Sequence, residues 1–537
     1  MTEKGVTAVE VVRSSVLCTW LAPLWHWLRE RYEYSLLAKI LRGIALGWRR
    51  AYHGSAVVGV LSREGVLTRA WPESVLCRVL TFLISIPTIL LQKLYAVGQD
   101  VFEHSVFARI AFAVVEQTPL AVAWIMVLFL ALPFERWNNA YSFAGFALCF
   151  VMAWFAGMRK PGFRLDLKFV GPWLVAFAGM TFAAWPLSAY PSLSFRFLLY
   201  YITCMLCVVI LVSTVESREQ LERLLCFTSL SLLIMSLYGI YQRIQGVEVN
   251  LSYVDVNVNG DMPGRVMGFF DNPNTFGEVL LLLIPVAVAY LLCTKSWLGR
   301  LLGLLSVGTG CMAMAMTYSR ASWVGLALAA VVFVILWNSK LIPLGIVVAL
   351  VGLALLPDTV FHRILTIFNT SDTSTSSRFP LYRAAAAFLQ QRPVLGAGLG
   401  SDAVRQSISD LNLFHGKDHF VHCHNIYLQV WCETGLVGLI SFVGGILWTA
   451  KQGAKAVFHK QCDLVVRMAV IGGVSALLGG LLCGMADYLW NYPRVMLIFW
   501  FVCALALAGI RLAGQESRAG EAEETAPAQQ PEEYYSE

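Results

Sequence analysis

The feature that most constrains this chain is a series of nearly uncharged apolar blocks, each about 17 to 25 residues long. A helix of that length crosses the roughly 30 Å hydrocarbon core of a bilayer. The blocks are continuously apolar, whereas the strands of a membrane β-barrel alternate between apolar and polar residues. With 58% apolar and 14% charged residues in 537, the composition excludes a set of soluble domains and disorder of the bulk chain. The sequence therefore predicts an all-α polytopic membrane protein.

About twelve transmembrane helices are predicted from runs that carry almost no charge. They cover 119–134, 140–157, 169–186, 195–213, 221–241, 277–293, 297–316, 322–337, 341–357, 426–449, 464–489 and 495–513. A further apolar stretch at 78–92 contains Pro87 and is followed by charged residues. We interpret that stretch as a re-entrant or interfacial element.

Orientation follows from the short loops, because cytoplasmic loops keep Lys and Arg. Alternate loops are basic, and with twelve spans both ends of the chain fall on the cytoplasmic side, which leaves the long segment 358–425 facing outward. Residues 1–118 form a basic, Trp-rich extension that either lies along the lipids of the inner leaflet or is poorly structured. Residues 119–513 are the transmembrane core, and the acidic tail 514–537 is predicted to be disordered. The net charge of +6 has to be assigned loop by loop, and the total does not indicate a nucleic-acid partner.

A second group of arginines lies on the predicted outer face, where the charge rule does not place them. Arg265, Arg320 and Arg494 each stand near the outer end of a span. Arginine stays charged at any accessible pH and presents a planar fork of donors that matches phosphate oxygens. Together they favour a site for a diphosphate whose lipid tail stays in the bilayer. The alternative is that each reaches the lipid headgroups or pairs with a nearby acid.

Polar residues also enter the tenth span, directly after the outer segment. Asn425, Gln429 and Glu433 are spaced i, i+4, i+8 and share one helical face, with His424 at its outer end. Polar groups inside a span are costly unless they line a cavity or take part in chemistry. A histidine there can accept a proton from a hydroxyl near neutral pH. The alternative is a histidine that faces headgroups or caps the helix.

A metal site is the competing interpretation of this region, because one segment of ten residues contains four histidines together with an acid and a thiol. They are His415, His419, His422 and His424, beside Asp418 and Cys423. Against zinc, this segment has no CxxC or HExxH pattern. The outer loops also lack an Asp-x-Asp pair that would hold a divalent metal. We therefore expect no metal and no cofactor. If the bound diphosphate is the leaving group of a reaction, the arginines themselves would have to neutralise its charge.

Three stretches resemble the O-antigen ligase superfamily of membrane glycosyltransferases. They are RVMGFFDNPNTFG (265–277), YSRASWVG (318–325) and HNIYLQVWCETGLVG (424–438), the last after an outer segment that contains RPVLGAGLG (392–400). Their order and the twelve-span frame fit the family, which includes lipid A-core O-antigen ligases, O-antigen polymerases and bacterial O-oligosaccharyltransferases. The resemblance implies a GT-C-like membrane fold in the bacterial inner membrane with an active site that faces the periplasm.

The resemblance also implies a reaction. A glycan would pass from undecaprenyl diphosphate to a hydroxyl of a lipid or glycolipid acceptor, lipid A-core for a ligase, without a metal and with inversion. By position, His424 resembles the catalytic base, and Glu433 and Asn425 would support it. Arg265 and Arg320 resemble the residues that hold the diphosphate. Arg378 or Arg383 in the outer segment would add to them.

Several alternatives remain open at the level of sequence. A polymerase of the same family uses the same donor, although the motifs look most like the ligase branch. A transporter of polyprenyl-linked glycans would need charged residues along its spans, whereas most spans here are uncharged. A passive assembly scaffold explains neither the outer arginines nor His424.

Overall fold

The computed structural model describes residues 63–250, 263–354, 357–366, 376–416, 419–459 and 462–525, with isolated positions between 23 and 47. The chain divides into two compact units, Met1–Val66 and Leu67–Glu537. Most of the Trp-rich part of the predicted N-terminal extension lies outside the described residues, as do 526–537 of the predicted tail. The second unit contains all the helices numbered below.

Eighteen α-helices of six or more residues build the described part of this unit, and the five-residue helix Val66–Ala70 precedes them. They are α1 Val75–Val97, α2 Gln99–His104, α3 Val106–Val115, α4 Thr118–Ala131, α5 Asn139–Ala156, α6 Pro172–Ala184, α7 Pro191–Thr214, α8 Arg218–Gln245, α9 Pro273–Cys293, α10 Trp297–Thr317, α11 Arg320–Asn338, α12 Ile342–Ala354, α13 Asp358–Leu365, α14 Arg378–Gln391, α15 Ser401–Asp410, α16 Ile426–His459, α17 Leu464–Cys483 and α18 Pro493–Thr525. Short 3₁₀ turns stand at Trp71–Glu73, Phe134–Arg136, Ser339–Leu341 and Leu489–Asn491.

The predicted fold class is confirmed, and each of the twelve predicted spans coincides with a helix. By length and composition alone, ten of the described stretches can cross a membrane, or eleven if the bent pair α3 and α4 is one span. That count takes Arg320–Ala354 once and omits α6, which has 13 residues. The last helix runs to Thr525, past the predicted end at 513, because the Ala- and Glu-rich start of the tail favours helix.

Helices α11 and α12 run in opposite directions, although they form one apolar stretch. The chain after α12 returns to the start of α11, where Arg320 Nη1 donates to the carbonyl oxygen of Thr366 at 2.6 Å. Tyr318 Oη lies 3.3 Å from Thr359 Oγ1 at the same place. The two predicted spans 322–337 and 341–357 are therefore a hairpin.

Helices α9, α17 and α18 lie at the centre of the bundle, and most of their side chains are buried. Small residues allow the close packing. A Cβ on Gly479 would meet the carbonyl oxygen of Gly325 at 2.6 Å, and one on Gly472 would meet Ala289 Cβ at 2.9 Å. Such contacts are typical of helix association in lipid, where close van der Waals packing replaces a hydrophobic driving force.

Helix α1 is long and apolar enough to span, yet it lies along a single loop. Trp71, just before it, donates its indole N–H to the carbonyl oxygen of Leu167 at 3.1 Å. Near its far end, Gln92 donates to the carbonyl oxygen of Lys160 at 2.8 Å. Both ends of a helix about 34 Å long therefore contact the connection 157–168 between α5 and α6.

The structure bears on one of the two predicted interpretations of the stretch 78–92. A re-entrant loop is wrong, because the helix is continuous through Pro87. The contacts with one connection fit an element that lies across the end of the bundle, as an interfacial helix does.

Helix α16 bends at Gly435, where the backbone adopts φ 72° and ψ −179°. The bend exposes main-chain groups that a membrane cannot satisfy. The glycine-rich segment 393–400 satisfies them: Ala397 N–H donates to Cys432 O at 2.6 Å, and Gly398 N–H donates to Glu433 O at 3.2 Å. The outer segment thus packs into the span that carries the polar face predicted above.

We expect Gly435→Ala to destabilise the protein by about 2 kcal/mol or more, since this backbone region is essentially restricted to glycine. A Cβ there would lie 1.7 Å from the carbonyl oxygen of Val394. The measurement is a thermal melt in detergent, in which size-exclusion chromatography reports the fraction of protein that stays folded after heating. Gly308→Ala is the matched control, because a Cβ at that helical position has no atom within 4 Å. Equal melting of the two variants would contradict the requirement for the bend.

Candidate active site

The site begins where the chain enters α16. Asn425 caps this helix by accepting from Leu428 N–H at 3.0 Å, and its amide donates to the carbonyl oxygen of Met485 at 2.9 Å. Ile426 N–H donates to Gly484 O at 2.8 Å. The start of α16 is thereby fixed to the segment after α17. Asn425 positions the backbone and does not hydrogen-bond to the ring of His424.

His424 stands in a left-handed turn with φ 44°, which is uncommon for a residue with a side chain. Its N–H donates to His422 Nδ1 at 3.1 Å, and its carbonyl oxygen accepts from Tyr382 Oη at 3.2 Å. These contacts hold the strained turn from both sides. Its side chain is 33% exposed, so the ring is accessible to a substrate.

Asp487 is the direct partner of His424. Its Oδ1 lies 2.9 Å from His424 Nδ1, and it also accepts from Tyr488 N–H at 2.9 Å. Burial alone would raise the pKa of Asp487, but its interactions with His424 and Arg378 outweigh burial and hold the pKa below its usual range. An ionised carboxylate only accepts hydrogen bonds, so Nδ1 carries the proton and Nε2 is left as a base.

Arg378 lies at the first position of α14, with Nη2 3.9 Å from Asp487 Oδ2. Tyr382, one turn later, contacts His424 as described above. Arg383 is five residues from Arg378 and therefore about 140° around the helix. It is exposed and makes no hydrogen bond or ion pair with the described residues of the site. Of the two arginines predicted for this segment, only Arg378 faces the His424–Asp487 pair.

Glu433 is fully buried and hydrogen-bonded by three side chains. Gln429 donates to it at 2.9 Å, Tyr488 at 2.8 Å and Tyr201 at 3.1 Å. Gln429 and Glu433 lie on one helical face, as predicted, and they also hydrogen-bond to each other. Glu433 does not touch His424. It reaches the pair indirectly, through Tyr488 beside Asp487.

Arg265 and Arg320 lie at the same end of the bundle, where α9, α10 and α11 meet. Arg265 is 7% exposed, and it donates to Thr317 O at 2.7 Å and to Asn274 Oδ1 at 2.5 Å. Arg320 begins α11 next to that contact. Helix α9 connects this end of the bundle with the His424–Asp487 pair, because its buried Glu278 interacts electrostatically with Asp487 and Arg378.

Arg494, the third arginine of the sequence analysis, does not join them. It donates to the carbonyl oxygens of Leu132 at 2.8 Å and Pro133 at 3.3 Å. Its guanidinium also lies 5.4 Å from the ring centre of Phe129 and 5.8 Å from that of Trp137. Arginine suits such aromatic surroundings. Arg494 therefore caps the end of α4, and its contacts do not place it with Arg265 and Arg320.

The predicted histidine cluster separates in the structure. His422 and His424 have ring centres 4.0 Å apart, whereas His415 and His419 are exposed. Burial and the neighbouring His424 lower the pKa of His422 to about 3, so it is neutral and accepts from the backbone. Asp418 lies outside the described residues. Among the described side chains, no group of three His, Cys, Asp or Glu is placed to hold a metal.

Two buried carboxylates escaped the sequence analysis. Asp487 lies inside the predicted span 464–489 and Glu278 inside 277–293, and they are 7% and 3% exposed. The signal that could have found them is the rule applied to Glu433: an acid inside an apolar span is functional by default. Applied evenly, it would have marked both acids as functional candidates, although not as partners of His424.

Comparison with known proteins identifies the region that carries this site. Residues 304–443 match the family model described as O-Antigen ligase, a range that includes Arg320, Arg378 and His424. A relative from Haemophilus influenzae, described as an uncharacterized protein, is 23% identical over 279 residues, which cover 47% of this chain and 70% of the relative. Arg265 and Asp487 lie outside the matched range of the family model.

Proposed function

This chain is a membrane protein of the O-antigen ligase superfamily, and on that premise we propose that it transfers a glycan from undecaprenyl diphosphate to an acceptor hydroxyl. The proposed acceptor is a lipid such as lipid A-core. The proposed place is the periplasmic face of the bacterial inner membrane. The donor, the acceptor and the membrane lipids are its proposed partners.

The observation that carries the proposal is the His424–Asp487 pair at 2.9 Å. With Nδ1 donating to the carboxylate, Nε2 remains available to accept a proton from the acceptor hydroxyl. The oxygen then attacks the anomeric carbon, the bond from that carbon to the diphosphate breaks, and the proton stays on His424. Asp487 stabilises the imidazolium that forms.

Charge neutralisation of the leaving group is the second requirement. A diphosphate departs with negative charge, and arginines fixed in place stabilise that charge without reorganisation. We assign this role to Arg265, Arg320 and Arg378, which the same end of the bundle carries. In this proposal Glu433 and Asn425 position the histidine segment, and neither touches the reacting atoms.

The sharpest test of the arginine assignment compares two residues of one helix. We expect Arg378→Gln to lower kcat/KM at least tenfold, because a charge-assisted contact worth about 1.5–3 kcal/mol is lost. Arg383→Gln removes the same charge from the exposed face of α14 and should stay within about twofold of wild type. The measurement is transfer of a synthetic polyprenyl-diphosphate glycan in detergent. Equal losses in both variants would mean that general surface charge, and not a site, is involved.

A metal-independent mechanism makes a separate prediction. Because no metal would hold the diphosphate, transfer should continue unchanged in excess EDTA, measured in the same assay after dialysis against the chelator. A metal-dependent glycosyltransferase assayed in parallel is the control for chelation. Loss of activity in EDTA that zinc restores would overturn this mechanism and revive the histidine cluster as a metal site.

The alternatives separate in the lipid-linked products of a deletion strain. A missing ligase leaves a ladder of long glycans on the donor lipid, whereas a missing polymerase leaves a single repeat. A missing transporter leaves donor on the inner face of the membrane. Accumulation on the outer face favours transfer over transport.

A further inference from the structure

A polar cavity lies at the end of the bundle opposite the candidate active site. Its volume is about 530 Å³, and α1, the connection 157–171, the end of α7 and α18 line it. Arg511 on α18 is one of its lining residues. Seventeen residues, or about 26 Å of helix, separate it from Arg494 near the active-site end. Nothing in the proposed transfer reaction uses this cavity.

Arg511 is only 8% exposed and lacks a complete set of acceptors. One of its terminal nitrogens, Nη2, donates to the carbonyl oxygen of Val215, while Nε is fully buried and has no hydrogen-bond partner. A buried guanidinium with unmet donors is costly unless an acceptor is supplied. An anion in the polar cavity would supply it.

The lining of the polar cavity carries an excess of positive charge. Arg164, Lys168 and Arg511 contribute three cations, against the carboxylates of Asp166 and Glu216. Glu216 is already neutralised, since it forms an ion pair with Lys160 outside the lining. The remaining balance favours an anionic ligand.

An apolar cavity of about 340 Å³ adjoins the polar one. Leu80 and Ile84 of α1 line it, whereas Thr81 lines the polar cavity. The connection shows the same division, with Leu167 on the apolar side and its neighbour Lys168 on the polar side. The volume of the apolar cavity is within the roughly 300–1,000 Å³ range of ligand sites. The two cavities therefore share the walls that α1 and the connection provide.

The outer face of α1 puts both cavities within reach of lipid. Leu76, Val79, Leu83, Ile86 and Leu90 are exposed at helical spacing and form one apolar stripe. Such a stripe on a helix across the end of a bundle lies at the boundary between headgroups and acyl chains. Basic pockets between transmembrane helices at this level are typical binding sites for anionic headgroups.

We propose that the polar and apolar cavities together bind one anionic phospholipid of the surrounding membrane. Its phosphate contacts Arg511 and Lys168, and one acyl chain fills the apolar cavity. This lipid is neither donor nor acceptor, and the site is independent of the proposed glycan transfer. It fixes α1 and the connection 157–168 to the ends of α7 and α18.

Native mass spectrometry of the delipidated full-length protein tests the site. We expect one dioleoyl phosphatidylglycerol to bind at least tenfold more tightly than dioleoyl phosphatidylcholine. Lys168→Gln should weaken this binding about fivefold, and Arg511→Gln about tenfold. Lys93→Gln is the matched control, because Lys93 is exposed on α1 and does not line either cavity.

A second variant tests the acyl chain. Gly179 of α6 lines the apolar cavity, and a Cβ there has no atom within 4 Å, so Gly179→Leu fills space without a clash. It should weaken dioleoyl phosphatidylglycerol about tenfold while leaving dihexanoyl phosphatidylglycerol unchanged. Equal affinity for the two dioleoyl lipids, or wild-type binding by both Lys168→Gln and Gly179→Leu, would overturn the proposal. Competition by millimolar inorganic phosphate with no dependence on chain length would reassign the cavity to a free anion. If Arg511→Gln does not fold, Lys168→Gln decides the charge requirement.

Discussion

Replacing His424 with Asn is expected to reduce glycan transfer by about 10²- to 10⁴-fold, the usual contribution of a general base. Asparagine is the appropriate substitute, because it tolerates the left-handed backbone that His424 adopts at φ 44°. Its amide can donate to Asp487 but cannot take a proton from the acceptor. The measurement is transfer to the acceptor in membranes, with protein amount verified by immunoblot.

The control is His419→Asn, since His419 is exposed in the same loop. It should transfer at the wild-type rate and insert equally well. A His424→Asn protein that keeps more than about a tenth of the wild-type rate would contradict the assignment of the base. Loss of activity in both variants would indicate that the loop as a whole, and not one imidazole, is required.

The second large effect is expected for Asp487→Asn. An amide at this position no longer fixes the Nδ1–H tautomer or stabilises the imidazolium, and the same exchange in a Ser-His-Asp triad lowers kcat about 10⁴-fold. We expect a fall in kcat of about 10²-fold or more, with the KM for donor within about twofold. Asp487→Glu should recover part of kcat, because the carboxylate is kept.

The pH dependence provides a further check on this residue. The pKa of Asp487 is held below its usual range by His424 and Arg378, despite burial. A depressed pKa means that the carboxylate stays ionised through mildly acidic pH and contributes stability that is lost only when the pH falls through the folded-state pKa. An acid limb in the rate near pH 5 or 6 therefore cannot arise from Asp487. The kinetic test of Asp487→Asn also has a contradicting outcome. A KM for donor that rises while kcat stays unchanged would place this carboxylate in donor binding and not in catalysis.

The spans were predictable because the length of an apolar run is read from the local sequence, and the thickness of the bilayer sets the length that a spanning helix needs. The course of α1 along the connection between α5 and α6 was not predictable in the same way. Pro87 does not break this helix, and only its contacts with the connection 157–168 distinguish it from a span. Composition alone contains no such information.

The site was predictable in part, for reasons that differ between residues. His424 was identified because it precedes a polar face on a predicted span. Asp487 was missed because the contact joins residues 63 positions apart, and helical spacing relates only neighbours on one helix. Arg494 shows the converse. An arginine near the end of a span looks the same in sequence whether it faces a ligand or three aromatic rings.

The bend of α16 has a consequence for biogenesis. Its carbonyl groups at Cys432 and Glu433 are satisfied by residues 397 and 398, which precede the helix in the chain. A nascent α16 that enters the bilayer before segment 393–400 has docked would carry bare carbonyls into hydrocarbon, which is unfavourable by several kcal/mol for each group. Formation of the bend is therefore coupled to docking of segment 393–400, and we expect the two to come together while α16 enters the bilayer rather than afterwards.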